Sequence, residues 1–328
     1  MKNISKRVLC AVLCIVCAFA LVACNNDKKQ DDGVYNVGIC QLVQHEALDA
    51  ATEGFKAALT EKLGDKVVFD EQNASGEATN CTTIASKFVS DKVDLIMANA
   101  TGALTAAAQA TDTIPVVATS ITDYATALEI KDWNGKTGFN VTGTSDLAPL
   151  DGQANMIKEL MPEAKTVGIL YCSAEPNSKY QSTVIMEHLN TLGFECKEFT
   201  FVDTNDVTAV TTQAASECDV IFAPTDNTVA SNAPAINNVL EPAGVPLIAG
   251  EEGICKKAGV ATLSITYYDI GYKAGEMAYE ILANGVDPAQ MEIEYAKDLT
   301  KKFVKERAEL LNIAIPEGYE EIPVDVAE

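Results

Sequence analysis

Asp226 and Asn227 follow a short apolar run, Val220 to Ala223, after Pro224-Thr225, and precede a stretch, Thr228 to Leu240, that can carry a helix. An acid and an amide at the carboxyl end of a strand can hold an ammonium group, and open α/β sheets collect their ligands at that end. Other polar residues stand in the same kind of place. Asn99, Thr101 and Gly102 end one apolar run, and Thr119 and Ser120 end the next. Thr101 and Gly102 open a helix whose free N–H groups and positive dipole end attract a carboxylate. Glu175 with Asn177, and Glu251, compete with Asp226 for a cation, while Gln41 and His45 follow the first strand. Structural roles compete with each of these readings: Thr101 as an N-cap, Ser120 as a turn hydroxyl, Glu175 and Glu251 as helix-start acids, His45 as a capping or surface group. An aromatic ligand needs apolar cover, for which Phe139, Tyr171, Tyr267 and Tyr268 are available, although core packing accounts for each equally well.

Bond-making chemistry has little support. The chain has no G-x-S-x-G elbow and no G-x-x-x-x-G-K-[ST] phosphate loop. Its two histidines, His45 and His188, give no imidazole cluster for a metal. Its carboxylates are no more numerous than so acidic a chain requires, so they do not single out a glycosidase pair. The expectation is ligand binding without catalysis, cofactor or metal.

The elements that must position these groups alternate. Strands are expected over Val34–Gln41, from Val67 on, and over Val93–Ala98, Pro115–Ala118 and Thr137–Val141, with helices over Glu46–Leu63, Glu77–Ser90 and Thr101–Ala110. A second set follows. Its helices are Pro149–Met161, Pro176–Leu192, Asp206–Ser216 and Thr228–Leu240, and its strands Thr166–Tyr171, Phe194–Phe201, Val220–Ala223, Val245–Ala249 and Val260–Ile265. A helix over Tyr268–Ala283, a strand-like Glu292–Tyr295, a helix around Phe303–Leu311 and an acidic end after Pro316 complete the chain. Such alternation means parallel sheets with helices on both faces and right-handed crossovers. The fold class expected is α/β, with two doubly wound parallel-sheet lobes joined by a hinge near Val141-Thr142-Gly143. Lobe 1 is assigned residues 34–142 plus 267–288, lobe 2 residues 143–266 plus 289–316, and residues 317–328 an acidic tail. The return of 267–288 to lobe 1 follows from the fold type rather than from those residues. Strand ends of both lobes then face one cleft.

The amino terminus bears on the compartment. Lys2, Lys6 and Arg7 precede an unbroken apolar run from Val8 to Ala23, which ends in Leu21-Val22-Ala23-Cys24. Sixteen residues is short for a membrane span. Small residues before a cysteine match the lipobox of bacterial lipoproteins, so residues 1–23 read as a signal, Cys24 as an acylated anchor and residues 24–33 as a polar tether. The expected location is extracytoplasmic, held by lipid to the outer face of the cytoplasmic membrane. Removing the signal leaves 21 basic residues against 47 acidic ones, a net of −26, which excludes phosphate-backbone binding and docking on anionic lipid. Of the ten cysteines, Cys40, Cys81, Cys172, Cys196, Cys218 and Cys255 remain past the anchor; their spacing suggests no disulfide framework, and buried free thiols are the preferred reading.

Six stretches in order carry a resemblance: Gly38-Ile39-Cys40-Gln41 with His45-Glu46-Ala47-Leu48-Asp49, Gln72-Asn73-Ala74-Ser75-Gly76-Glu77, Asn140-Val141-Thr142-Gly143, Glu175-Pro176-Asn177-Ser178, Pro224-Thr225-Asp226-Asn227-Thr228 and Gly250-Glu251-Glu252-Gly253. From Tyr35 to Pro316 the chain resembles the ABC-transporter substrate-binding lipoproteins of the tryptophan/tyrosine-binding family, within the type I periplasmic-binding fold. It departs from them at Asp123-Tyr124, where the family usually has a proline at the second position. The resemblance implies capture of an amino-acid-like ligand, aromatic ones favoured, and delivery by a monomer to a membrane permease with a cytoplasmic ATPase. Asp226 pairing with the ammonium would also reject acids that lack the amine, because the charge would be buried unmatched. Alternatives that use the same cleft are a sensing lipoprotein not coupled to transport and a nucleoside- or sugar-binding protein; an adhesin would need no ligand.

Overall fold

The computed structural model describes residues 33–324; the signal run, Cys24 and the tether up to Asp32 lie outside the described residues. Apolar runs rich in β-branched residues form strands because both faces of a parallel sheet are covered. The first sheet contains β1 (Tyr35–Gln41), β2 (Val67–Asn73), β3 (Leu95–Asn99), β4 (Val116–Ile121), β5 (Val141–Ser145) and β11 (Glu294–Tyr295). They lie in the order β11-β5-β4-β3-β1-β2, all parallel. The second sheet contains β6 (Thr166–Cys172), β7 (Glu195–Phe201), β8 (Val220–Ala223), β9 (Leu247–Ala249), β10 (Ala261–Ser264), β12 (Thr300–Phe303) and β13 (Glu320–Glu321). Its order is β13-β12-β10-β9-β8-β6-β7. Each half therefore repeats a 2-1-3-4-5 arrangement, whose order reverses beside its first strand, the place where doubly wound sheets bind ligands.

Helices connect the strands: α1 (Glu46–Leu63), α2 (Ala78–Asp91), α3 (Thr101–Ala110) and the single turn α4 (Tyr124–Ala127) in the first half, then α5 (Leu150–Leu160), α6 (Pro176–Thr191), α7 (Val207–Glu217), α8 (Asn227–Ala243) and α9 (Glu252–Ala258) in the second. α10 (Tyr267–Asn284) returns to the first half and packs along α1. That approach is backbone on backbone. A Cβ added to Gly54 would collide with the Tyr268 carbonyl, and one on Gly271 with the Ala51 carbonyl, so neither position admits a side chain. Phe55 and Phe88 fill the first core and Phe222 the second, all fully buried. Truncating any of them to alanine would cost about 3–5 kcal/mol.

Four expectations change here. The strand expected over Thr137–Val141 lies later, at Val141–Ser145, because the Gly135 and Gly138 turns occupy the preceding loop with positive φ. β5 keeps the first sheet running past residue 142, and β11 still pairs with it, so residues 294–295 belong to that sheet and not to the second. Thr300–Phe303 is a strand, antiparallel to β10, and α11 (Lys305–Leu310) begins only after it. Finally, part of the acidic tail is structured: Glu320–Glu321 pairs with β12, and Ile322 is buried in the second core. One buried apolar side chain holds the segment while its neighbours Glu320 and Glu321 stay exposed.

Candidate functional site

β8 ends at Ala223, and Asp226 caps α8. Its Oδ1 accepts from Val229 N and its Oδ2 from Cys172 N, both at 2.7 Å. Glu175 also serves α8, not its own helix: its carboxylate accepts from Asn227 N and Nδ2 at 3.0 and 2.7 Å, and from Thr228 N and Oγ1 at 2.9 and 2.8 Å. Two acids thus occupy one helix N-terminus, which its dipole favours. Glu251 caps α9 and accepts from Gly253 N and Ile254 N. Asn177, in the first turn of α6, donates to Thr225 O at 3.1 Å and fixes the loop that carries Asp226.

The first half faces these groups with mostly neutral ones, Asp146 being its one acid in the lining. His45 Nε2 lies 3.2 Å from Asn227 Oδ1, joining the two halves. Ser120, at the end of β4, sits at φ +58°, and its buried hydroxyl has no hydrogen-bond partner. A non-glycine residue held there is strained, a condition that clusters at ligand sites. Thr122 and the Tyr267 hydroxyl donate to Asp146 at 3.2 and 2.9 Å, and Gln181 of the second half reaches Thr122 at 3.4 Å.

A cleft between the sheets is lined by His45, Leu48, Ser120, Thr122, Asp146 and Tyr267 on one side and Asn177, Thr225, Asp226, Asn227, Ala230 and Glu251 on the other. Among the described residues, three carboxylates line it and no lysine or arginine does. Burial is the main reason that Asp226 is pushed up to about 8, Glu251 to about 7 and Asp146 to about 6. The nearby Glu175 charge adds to the rise of Asp226, while the backbone donors on Asp226 and Glu251 oppose it. Burial lowers the pKa of His45. Groups so placed stabilise a cation entering the cleft, because a positive partner restores what burial removed. The space left between the side chains is about 10 Å³, roughly one water, so a larger solute requires them to move apart. At the rim, Glu46 of α1 lies 3.8 and 3.6 Å from Lys256 and Lys257 of α9.

Of the groups expected from sequence, His45, Ser120, Asn177, Asp226, Asn227 and Glu251 come together here, and Tyr267 supplies a ring. Nine do not line the cleft. Gln41 turns down into a buried network with Asp49 and Thr52, and Asn99 donates to Leu48 O and Thr52 Oγ1 in the same network. Thr119 pairs with Thr144 inside the sheet. Thr101 is buried and Gly102 lies against Leu42, and neither is among the lining residues. Glu175 is consumed by the N–H groups of α8. Tyr171 bonds Glu198 on the flank of the sheet, while Tyr268 and Phe139 are exposed. Leu48, Thr122, Asp146, Thr225 and Ala230 were not anticipated. The strand-end rule reaches Thr122 and Asp146 if extended past β4 and β5; Leu48 and Ala230 depend on helix rotation, which no local pattern reveals.

The profile of the ABC transporter substrate binding protein family matches residues 36–326. This chain belongs to that family. It is 39% identical over 264 residues to the tyrosine-binding protein of Clostridioides difficile, covering 79% of this chain and 76% of the relative. Among solved structures, an ABC domain in complex with L-Trp from Streptococcus pneumonia aligns with TM-score 0.84 at 31% identity, covering 88% of this chain and all of that one. The ligand-free, open structure of a substrate-binding protein with adhesive properties from Clostridium difficile has higher identity, 35%, over 89% of this chain and all of that one, yet TM-score 0.68. Sequence alone would order the two the other way.

Proposed function

We propose that this substrate-binding protein captures an amino acid, with aromatic ones favoured, and holds it between its two halves. The observation that carries the reading is a cleft lined, among the described residues, by three carboxylates, an unpartnered serine hydroxyl and a tyrosine ring, with no lysine or arginine. An α-ammonium group fits between Asp226 and Glu251, whose charges it compensates on burial. Ser120 and Thr122 offer hydroxyls to the ligand's polar end, and Tyr267 offers a ring edge or face. A relative that binds tyrosine and a solved relative bound to L-Trp support the aromatic preference. Ligand contacts from both halves favour the closed arrangement over the open one, so capture and closure are one equilibrium.

The family works outside the cytoplasm, in ABC transport. We further propose that Cys24 carries the lipid anchor, that the protein acts as a monomer, and that its closed form docks on a permease driven by a cytoplasmic ATPase. Calorimetry of the purified chain against the twenty amino acids tests the ligand assignment. Binding of tyrosine or tryptophan at micromolar affinity or better is expected, and no heat with any aromatic amino acid removes the preference.

A further inference from the structure

Cys40 and Cys81 meet inside the first half, away from the cleft. Cys40 lies on β1 and Cys81 in the first turn of α2. α2 turns one stripe onto the sheet, Cys81, Ala85 and Phe88, the spacing of a single helix face. Phe88 covers Gly38, where an added Cβ would fall 2.6 Å from its ring. Cys40 stands two residues further along β1 and so on the same face as Gly38. It meets the opposite end of the stripe, where Cys81 packs in the same cluster, and both side chains are free thiols in this structure. Both are fully buried and share one apolar cluster with Ala85 and Phe88. The other four cysteines, Cys172, Cys196, Cys218 and Cys255, are spread over β6, β7, the end of α7 and α9.

We propose that Cys40 and Cys81 form an intramolecular disulfide as the exported chain folds, tying α2 to β1. In that step the two thiols lose two protons and two electrons as the Sγ–Sγ bond forms. An oxidant disulfide, from a thiol–disulfide oxidoreductase or oxidised glutathione, accepts both and leaves as two thiols. Burial sets the timing. Before α2 docks on the sheet both thiols are open to exchange, and afterwards neither oxidant nor reductant reaches them. The bond closes a long loop that includes β2, so it restricts the unfolded chain and acts on stability. Neither residue lines the cleft, so ligand affinity is the same with and without it.

The test uses the full chain secreted from a bacterial host with an oxidising folding pathway, purified without reductant, denatured, alkylated with iodoacetamide and mapped by mass spectrometry. The Cys40 and Cys81 peptides are expected to be cross-linked and the other four cysteines alkylated. Denatured, reduced protein refolded in a glutathione redox buffer is expected to give the same map. Chain reduced in denaturant and refolded with reductant present is expected to melt about 5–10 °C below chain refolded without it, and the same treatment is expected to leave a Cys40→Ala/Cys81→Ala double variant unmoved. Alkylation of all six in both preparations, or a bridge through any other pair, overturns the proposal. The mapping needs only the native chain, so a double variant that fails to fold does not weaken the test.

Discussion

The two sheets share a strand order but differ in the chemistry at their carboxyl ends. β1 leads to His45 where β6 leads to Glu175; β3 leads to Ala100 and Thr101 where β8 leads to Asp226 and Asn227; β4 leads to Ser120 where β9 leads to Glu251. At these three places the second half has an acid and the first a neutral group, whereas after β5 the first half places its own acid, Asp146. In the second half the acids are seated on helix N-termini, each held by backbone donors, so negative charge is part of the frame. In the first half the corresponding backbone is strained instead, with Ala100 at φ +86° and Ser120 at φ +58°. Each such residue costs on the order of 1–3 kcal/mol, which persists only where surrounding packing over-determines it. One half thus fixes where a cation sits, and the other brings hydroxyls and a ring across to cover it.

The sharpest way to break this division of labour is Asp226→Asn. The amide oxygen can still cap α8 at Val229 N, although the amide nitrogen then faces Cys172 N in place of an acceptor, and the charge is lost. A weakening of aromatic amino acid binding by about 2–5 kcal/mol, roughly 30- to several-thousand-fold, is expected by calorimetry. Glu251→Gln is expected to cost less, about tenfold, and a larger loss there than at Asp226 would move the ammonium to α9. Acidity gives a second handle. Asp226, Glu251 and Asp146 are all raised in the folded chain, so from about pH 4 to about pH 8 it holds protons that the unfolded chain has released. Stability of the unliganded protein conferred by these groups is therefore full at low pH and falls as pH rises through that window. His45, lowered by burial, acts in the opposite sense, removing stability as pH falls through its own range. A cationic ligand favours the ionised carboxylates, so its affinity is expected to rise from pH 5 to pH 8. A flat affinity profile over that range would count against an ammonium beside Asp226.

Smaller effects sharpen the covering role of the first half. His45→Ala removes the contact to Asn227 across the cleft, and a loss of about 1 kcal/mol, roughly fivefold in affinity, is expected by calorimetry with protein stability little changed. Glu46→Ala removes the rim pairs to Lys256 and Lys257, which are partly exposed. A change of less than about threefold is expected, disappearing at high salt. An effect of Glu46 equal to that of Asp226 would mean that rim charge, not the buried acids, governs closure.

Much of this was readable along the chain because the governing rules are local. Helical period and capping placed α1 and α3 over the residues expected, and the apolar run Val220–Ala223 is a strand on the same bounds. Asp226, Asn227 and Glu251 were legible for the same reason, since a strand end followed by a helix start fixes where they lie. β12 was not, because Thr300-Lys301-Lys302-Phe303 has no strong pattern and becomes a strand only where β10 offers an edge to pair with. The direction in which a strand-end side chain turns was equally hidden. Gln41 and Thr119 stand at strand ends like Ser120, yet they turn into the sheet toward Thr52 and Thr144.

By itself the sequence determined the alternation of elements, the repeat of two α/β halves and the acids that cap α8 and α9, all properties of short stretches. Only the tertiary structure decided that Asp146, Thr122 and Tyr267 complete the cleft and that Glu175 does not line it, because facing partners come from elements more than a hundred residues apart. Contact across that distance depends on how two sheets are packed and turned, which no stretch of sequence encodes alone.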